Sequence, residues 1–132
     1  MNGVRTTIVS ATAGALALGA WTMAPASAAP VAADVERELG GRCTASSTWE
    51  LNVEKEGKRI DIDVDVEAVR AHQAWKVRIW HNGKRITKVT RVTDREGELE
   101  VDRNVRNKKG KDRITFKAVS NRGEVCRATV RI

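Results

Sequence analysis

The chain of 132 residues has no Tyr, one Phe, two His, two Cys and two Pro. Its two histidines, His72 read in a loop and His81 read in a turn, carry no pattern that sets a base beside a nucleophilic Ser or Cys. No Cys/His spacing matches a zinc site. Gly40-Gly41 precedes no lysine-bearing helix start, so a phosphate-cradling loop is missing too. A chain this short excludes large catalytic scaffolds and sets one modest domain as the default. The sequence therefore predicts a protein that is not an enzyme and holds no cofactor.

The first 28 residues read as an export signal. Arg5 lies in a short polar start, Ile8 to Ala20 carries no charge, and Ala26-Ser27-Ala28 follows Pro25. That is the basic, apolar and small-residue order of a secretory leader, with cleavage expected after Ala28. No later segment is apolar enough to span a bilayer. Taking Arg5 from the 24 basic residues leaves 23 against 17 acidic ones, a balance of +6. The basicity thus belongs to the exported part, which is expected to be secreted, extracellular and monomeric.

Residues 29–42 are Ala-rich and end in Gly40-Gly41, and they read as a flexible N-terminal arm. Residues 43–132 show period-two alternation instead. Trp49, Leu51 and Val53 alternate with polar neighbours, then Ile60, Ile62, Val64 and Val66 with Asp61, Asp63 and Asp65. Glu54 to Lys58 reads as the turn between them. Trp75 to Trp80 and Arg85 to Thr93 flank His81-Asn82-Gly83-Lys84, a tight-hairpin signal. Ile86, Val89 and Val92 break the alternation, so a bulge is expected near Lys88. Glu98 to Val105, Arg113 to Ser120 and Val125 to Ile132 complete seven strands.

Seven short strands without a convincing helix predict an antiparallel β-sandwich of immunoglobulin or fibronectin type III-like kind, with a small barrel as the rival. Cys43 and Cys126 are expected to form a disulfide in the oxidising extracellular setting. Closing that loop stabilises by about 4.5 kcal/mol on the chain-entropy account.

At Trp75-Lys76-Val77, His81-Asn82-Gly83, Arg91-Val92-Thr93, Asp112-x-Ile114 and Glu124-x-Cys126 the chain resembles small secreted actinobacterial proteins of uncharacterised role. The likeness covers about residues 43–132. It implies an exported immunoglobulin/fibronectin type III-like domain and transfers no catalytic residue. The chain departs from true immunoglobulin domains in having no Cys pair between the central strands and no Tyr for a tyrosine corner.

Charge sorts by strand parity. With strands one, two and five in one sheet, an outer face would show Glu50, Asp61, Asp63, Asp65, Glu98, Glu100 and Asp102. The other sheet would show Lys76, Arg78, Arg113, Lys117, Arg127 and Arg131, with Trp80 outward among them. Asp61-x-Asp63-x-Asp65-x-Glu67 is not a calcium site on this reading, because three carboxylates along a strand spread over about 13 Å. Lys76, Arg78, Trp80, Arg113, Lys117, Arg127 and Arg131 are the candidate partner-binding residues. The expected partner is an anionic cell-wall polymer or an acidic protein, and export argues against nucleic acid. The alternatives are a structural or self-associating surface protein, and a small-molecule carrier or inhibitor on the same fold.

Overall fold

Ile60, Ile62, Val64 and Val66 are fully buried, while Asp61, Asp63 and Asp65 between them reach the surface. A pleated strand with one dry face requires that pattern. The computed structural model describes residues 34–132, so the leader and its cleavage after Ala28 lie outside the described residues. Eight strands are present: β1 (Val35–Arg42), β2 (Thr48–Glu56), β3 (Arg59–Glu67), β4 (Ala74–His81), β5 (Lys84–Val92), β6 (Glu98–Arg106), β7 (Arg113–Ser120) and β8 (Val125–Arg131). They form two antiparallel four-stranded sheets, ordered β1-β2-β3-β6 and β5-β4-β7-β8. The described residues form no helix, hence none long and apolar enough to cross a membrane.

The two sheets bury one shared core, a β-sandwich arrangement. Leu51, Val53, Val64 and Val101 from the first meet Trp75, Ile79, Phe116 and Ala118 from the second. Each fully buried large side chain contributes roughly 1.5–3 kcal/mol through its removal from water. Trp75 is wholly buried, as its parity predicts. Trp49 is only half-buried: it packs edge-on against Phe116 at 5.3 Å between ring centroids and keeps its Nε1 on the Arg42 carbonyl.

The strand count differs from the expected seven because residues 35–42 form a strand and not a loose arm. β1 pairs with β2 along its whole length, from Val35 opposite Lys55 to Arg42 opposite Thr48. Glycine weakens a strand by leaving nothing to pack. Here the Trp49 indole supplies that packing, lying so close over Gly41 that a Cβ there would sit 2.7 Å from the ring. β1 is therefore the sheet edge, a place that the Thr48 strand would otherwise occupy.

One turn is tighter than its sequence suggests, and another is the tight hairpin expected. The residues after Val53 do not form a five-residue turn; β2 runs on to Glu56, and Gly57-Lys58 alone connects Glu56 to its partner Arg59. In the β4–β5 hairpin, Asn82 and Gly83 both have positive φ, at 49° and 83°, as a two-residue primed turn demands. That turn fixes His81 opposite Lys84 and Trp80 opposite Arg85, whereas Ile79 faces Thr87. Ile86 is consequently the extra residue, so the bulge lies two positions before Lys88.

Cys43 and Cys126 form the expected disulfide. Cys43 opens the β1–β2 connection and Cys126 faces inward from β8, so the bond ties one sheet to the other. Hydrogen bonds reinforce it: Thr44 N donates to the Val125 carbonyl, and both the amide and the hydroxyl of Ser47 donate to the Glu124 carboxylate.

Candidate functional site

The β5-β4-β7-β8 sheet contains no Asp or Glu in any of its four strands. Its outward residues align in rows because antiparallel register sets partners opposite one another. One row runs Lys88–Arg78–Lys117–Arg127 across all four strands, a line of four cations. Neighbouring strands lie about 4.8 Å apart, so this row is about 14 Å long. A second row is Thr90–Lys76–Val119–Val125, and a third is Arg85–Trp80–Thr115–Thr129. Arg113 and Arg131 pair beyond them.

All seven candidate residues thus share one face. The structure adds Lys88 and Arg85, which strand parity alone does not place because the bulge displaces the alternation of β5. Trp80 is half-buried, opposite Arg85 and Thr115. A hollow of about 300 Å³ lies beside Lys76 and Arg78, floored by Ala74, Thr90 and Val119. The Arg78 Nε is buried without a hydrogen-bond partner. Among the described residues every ion pair involves Asp112, so no cation of this face is matched to a carboxylate.

The outer face of the opposite sheet is mainly acidic, with Arg42 at one end and Arg59 and Arg106 at the other. Its outer rows read Gly40–Glu50–Asp65–Glu100, Glu38–Asn52–Asp63–Asp102 and Glu36–Glu54–Asp61–Asn104, with Glu67 opposite Glu98 beyond them. Acids therefore face acids directly, each such pair unfavourable. Burial, with Asp102 and Glu100 alongside, raises the Asp63 carboxyl above its ordinary value; burial, Glu100 and Glu50 raise Asp65 likewise. Relief comes from amides at one end. Asn52 donates to Glu36, Asn104 donates to Asp61, and the Arg59 guanidinium donates to Asn104. A hollow of about 640 Å³ opens among Glu50, Asp65, Glu67, Glu98 and Glu100. Among the described residues no group of three or more His, Cys, Asp or Glu could hold a metal ion, and Asp61, Asp63 and Asp65 simply follow their strand.

His81 departs from its reading as a turn residue. It is the last residue of β4, faces inward, is buried, and its Nε2 lies 2.6 Å from Asp112 Oδ1. Lys55 Nζ lies 2.9 Å from the other carboxylate oxygen and also donates to the Ile132 carbonyl. Asn82 Nδ2 donates to Asp112, and Asn82 Oδ1 accepts from Arg113 N. Burial alone would raise the Asp112 carboxyl, but hydrogen bonds from Lys55 and His81 and the Lys55 charge outweigh it and hold it below its ordinary value. No Ser or Cys lines the adjoining hollow at Asn82, Lys111, Asp112, Arg113 and Arg131. The cluster clamps one sheet to the other. Its sequence signal was parity: Lys55, in step with Leu51 and Val53, points inward once β2 is allowed to continue.

No protein-family model matches the chain, and neither the curated proteins nor the solved structures compared with it give a significant match.

Proposed function

We propose that this protein is an exported, non-catalytic binding module whose β5-β4-β7-β8 face docks on an anionic extracellular polymer, such as a cell-wall polymer. The domain is read as an immunoglobulin/fibronectin type III-like sandwich. Behind β1, its remaining seven strands divide three and four in the order such sandwiches use, although no bond joins the central strands. The secretory pattern of the leader and the disulfide both suit the outside of a cell.

The observation that carries the reading is the row Lys88–Arg78–Lys117–Arg127 on a sheet without a single acid. Four cations in line repel one another unless a partner brings negative charge to them. A partner with charge repeated along a line satisfies all four at once, which favours a linear polymer over a folded acidic protein. The hollow beside Lys76 and Arg78 would seat a unit of the polymer, with its anionic groups on those two cations and its uncharged part against Ala74 and Val119.

Binding of the purified protein to anionic cell-wall polymer, measured across a salt series, tests this. Affinity is expected to fall steeply with ionic strength. The double charge reversal Arg78→Glu with Lys117→Glu is expected to weaken it by about tenfold or more, the loss of about 1.4 kcal/mol. Binding that survives both changes rejects the proposal, as does selective capture of an acidic protein with none of the polymer.

A further inference from the structure

We infer that the acidic face of the β1-β2-β3-β6 sheet is the docking surface for the basic face of a second copy, so that copies stack head to tail. The inference goes beyond polymer binding and assigns a role to the face which that reading leaves idle.

The two outer faces are matched lattices. Both are four strands wide, and both repeat about 4.8 Å across the strands and about 6.8 Å along them. When one sheet lies on the other with strands aligned, the row Lys88–Arg78–Lys117–Arg127 covers the row Glu38–Asn52–Asp63–Asp102, and Lys76 reaches the row of Glu50, Asp65 and Glu100. The basic face holds cations alone, and the middle rows of the other face hold acids with Arg42, Arg59 and Arg106 only at the strand ends, so each supplies the charge the other lacks. The hollow among Glu50, Asp65, Glu67, Glu98 and Glu100 gives long Lys and Arg side chains room to enter.

Size sets the strength. A face about 19 Å wide and about 30 Å long offers about 570 Å² per copy, or about 1,100 Å² for the pair, the lower limit for a specific interface. With its apolar content low, the contact is electrostatic and therefore salt-sensitive. Symmetry sets the form. The faces differ and lie on opposite sides of the sandwich, so the contact is heterologous and does not close. The product is a rod with a repeat of about 20 Å, two sheet-to-sheet spacings. Polymer and stacking use the same basic face, so polymer dissolves the stack.

Sedimentation of the purified protein at about 0.02 M and about 0.5 M ionic strength gives the first measurement. The weight-average mass is expected at about twice the monomer or more in low salt and at the monomer in high salt; a monomer in both overturns the inference. The second uses two surface variants that keep the disulfide and the β-sheet spectrum. One carries Asp63→Asn, Asp65→Asn and Glu100→Gln; the other carries Arg78→Gln, Lys117→Gln and Arg127→Gln. Each alone is expected to stay monomeric. Mixed, they retain one intact face apiece and form a 1:1 heterodimer that grows no further. Association of either variant alone, or no heterodimer on mixing, overturns the inference. The acidic-face variant keeps its basic face, so its polymer binding reports separately on the proposed function.

Discussion

Lys55 on β2 and Asp112 ahead of β7 meet at 2.9 Å, with the carboxylate almost wholly buried and the ammonium only slightly exposed. Their contact joins the two sheets at the end opposite the disulfide. Asp112→Asn keeps the shape and removes the charge, leaving the Lys55 ammonium without its counter-ion. Breaking a buried pair from one side costs about 3–5 kcal/mol, and slight exposure of Lys55 places this case near the lower figure. Urea unfolding at neutral pH is expected to show that loss. The pH dependence has a definite sign. Folding lowers the Asp112 pKa, so the stability it supplies is complete above the ordinary carboxylate value and is lost as pH falls through the lower folded value. D112N lacks that acid limb; parallel acid curves for the two proteins reject the assignment.

The acidic face has the opposite sign. Asp63 and Asp65 have raised pKa values in the fold, so their mutual repulsion is fully felt above the raised value and fades as pH falls through it toward the ordinary one. D63N and D65N are each expected to stabilise by about 0.2–1 kcal/mol at neutral pH, the worth of one cross-strand charge pair. The gain should shrink as the solution is acidified, which thermal melts at several pH values would show. Added salt or millimolar divalent cations are expected to raise the wild-type melting temperature more than that of the double variant. A flat or falling response removes the repulsion from the account.

Strand parity made most of this surface legible. Wherever apolar and charged residues alternated strictly, as from Ile60 to Val66, both the buried set and the outward charges followed from the period of two, whereas the division into sheets came from the order usual in such sandwiches. What parity could not supply were contacts distant in sequence. Gly40-Gly41 looks like a strand breaker until Trp49 is known to cover it. His81 looks solvated until Asp112, 31 positions away, is brought to its ring. Lys88 and Arg85 joined the basic face only once the bulge at Ile86 restored the register of β5. Local propensity is blind to each of these, because the compensating group arrives from another strand.

Gly97 illustrates a constraint of the same kind in the β5–β6 connection. Its φ is +89°, and a Cβ there would lie 2.2 Å from the Ala68 carbonyl oxygen, which belongs to the loop after β3. Gly97→Ala thus combines left-handed strain with a backbone clash that no side-chain movement relieves, and it is expected to cost about 3 kcal/mol or more. Gly57 provides the control. It has φ +55° but a Cβ there would meet nothing within 4 Å, so Gly57→Ala should cost only about 1–2 kcal/mol. Denaturant midpoints of the two variants decide the matter: equal losses would mean that the Ala68 contact carries no weight.

The disulfide and the Ser47–Glu124 hydrogen bonds hold the same corner, so their separate contributions can be told apart. Replacing Cys43 and Cys126 with Ala frees a loop spanning a sequence separation of 83 residues. The chain-entropy account assigns about 4.5 kcal/mol to that closure, mainly through the unfolded state. Glu124→Gln acts instead on the folded state, where it weakens the charged acceptor that binds the Ser47 amide at 2.8 Å and hydroxyl at 2.9 Å, at a cost of about 1–3 kcal/mol. The first change is expected to leave the native Trp49 environment intact while lowering the denaturant midpoint. The second should loosen the β1–β2 connection and speed amide exchange from Cys43 to Thr48. If loss of the disulfide instead produced that local exchange without a fall in global stability, the bond would be acting on the native corner and not on the unfolded chain.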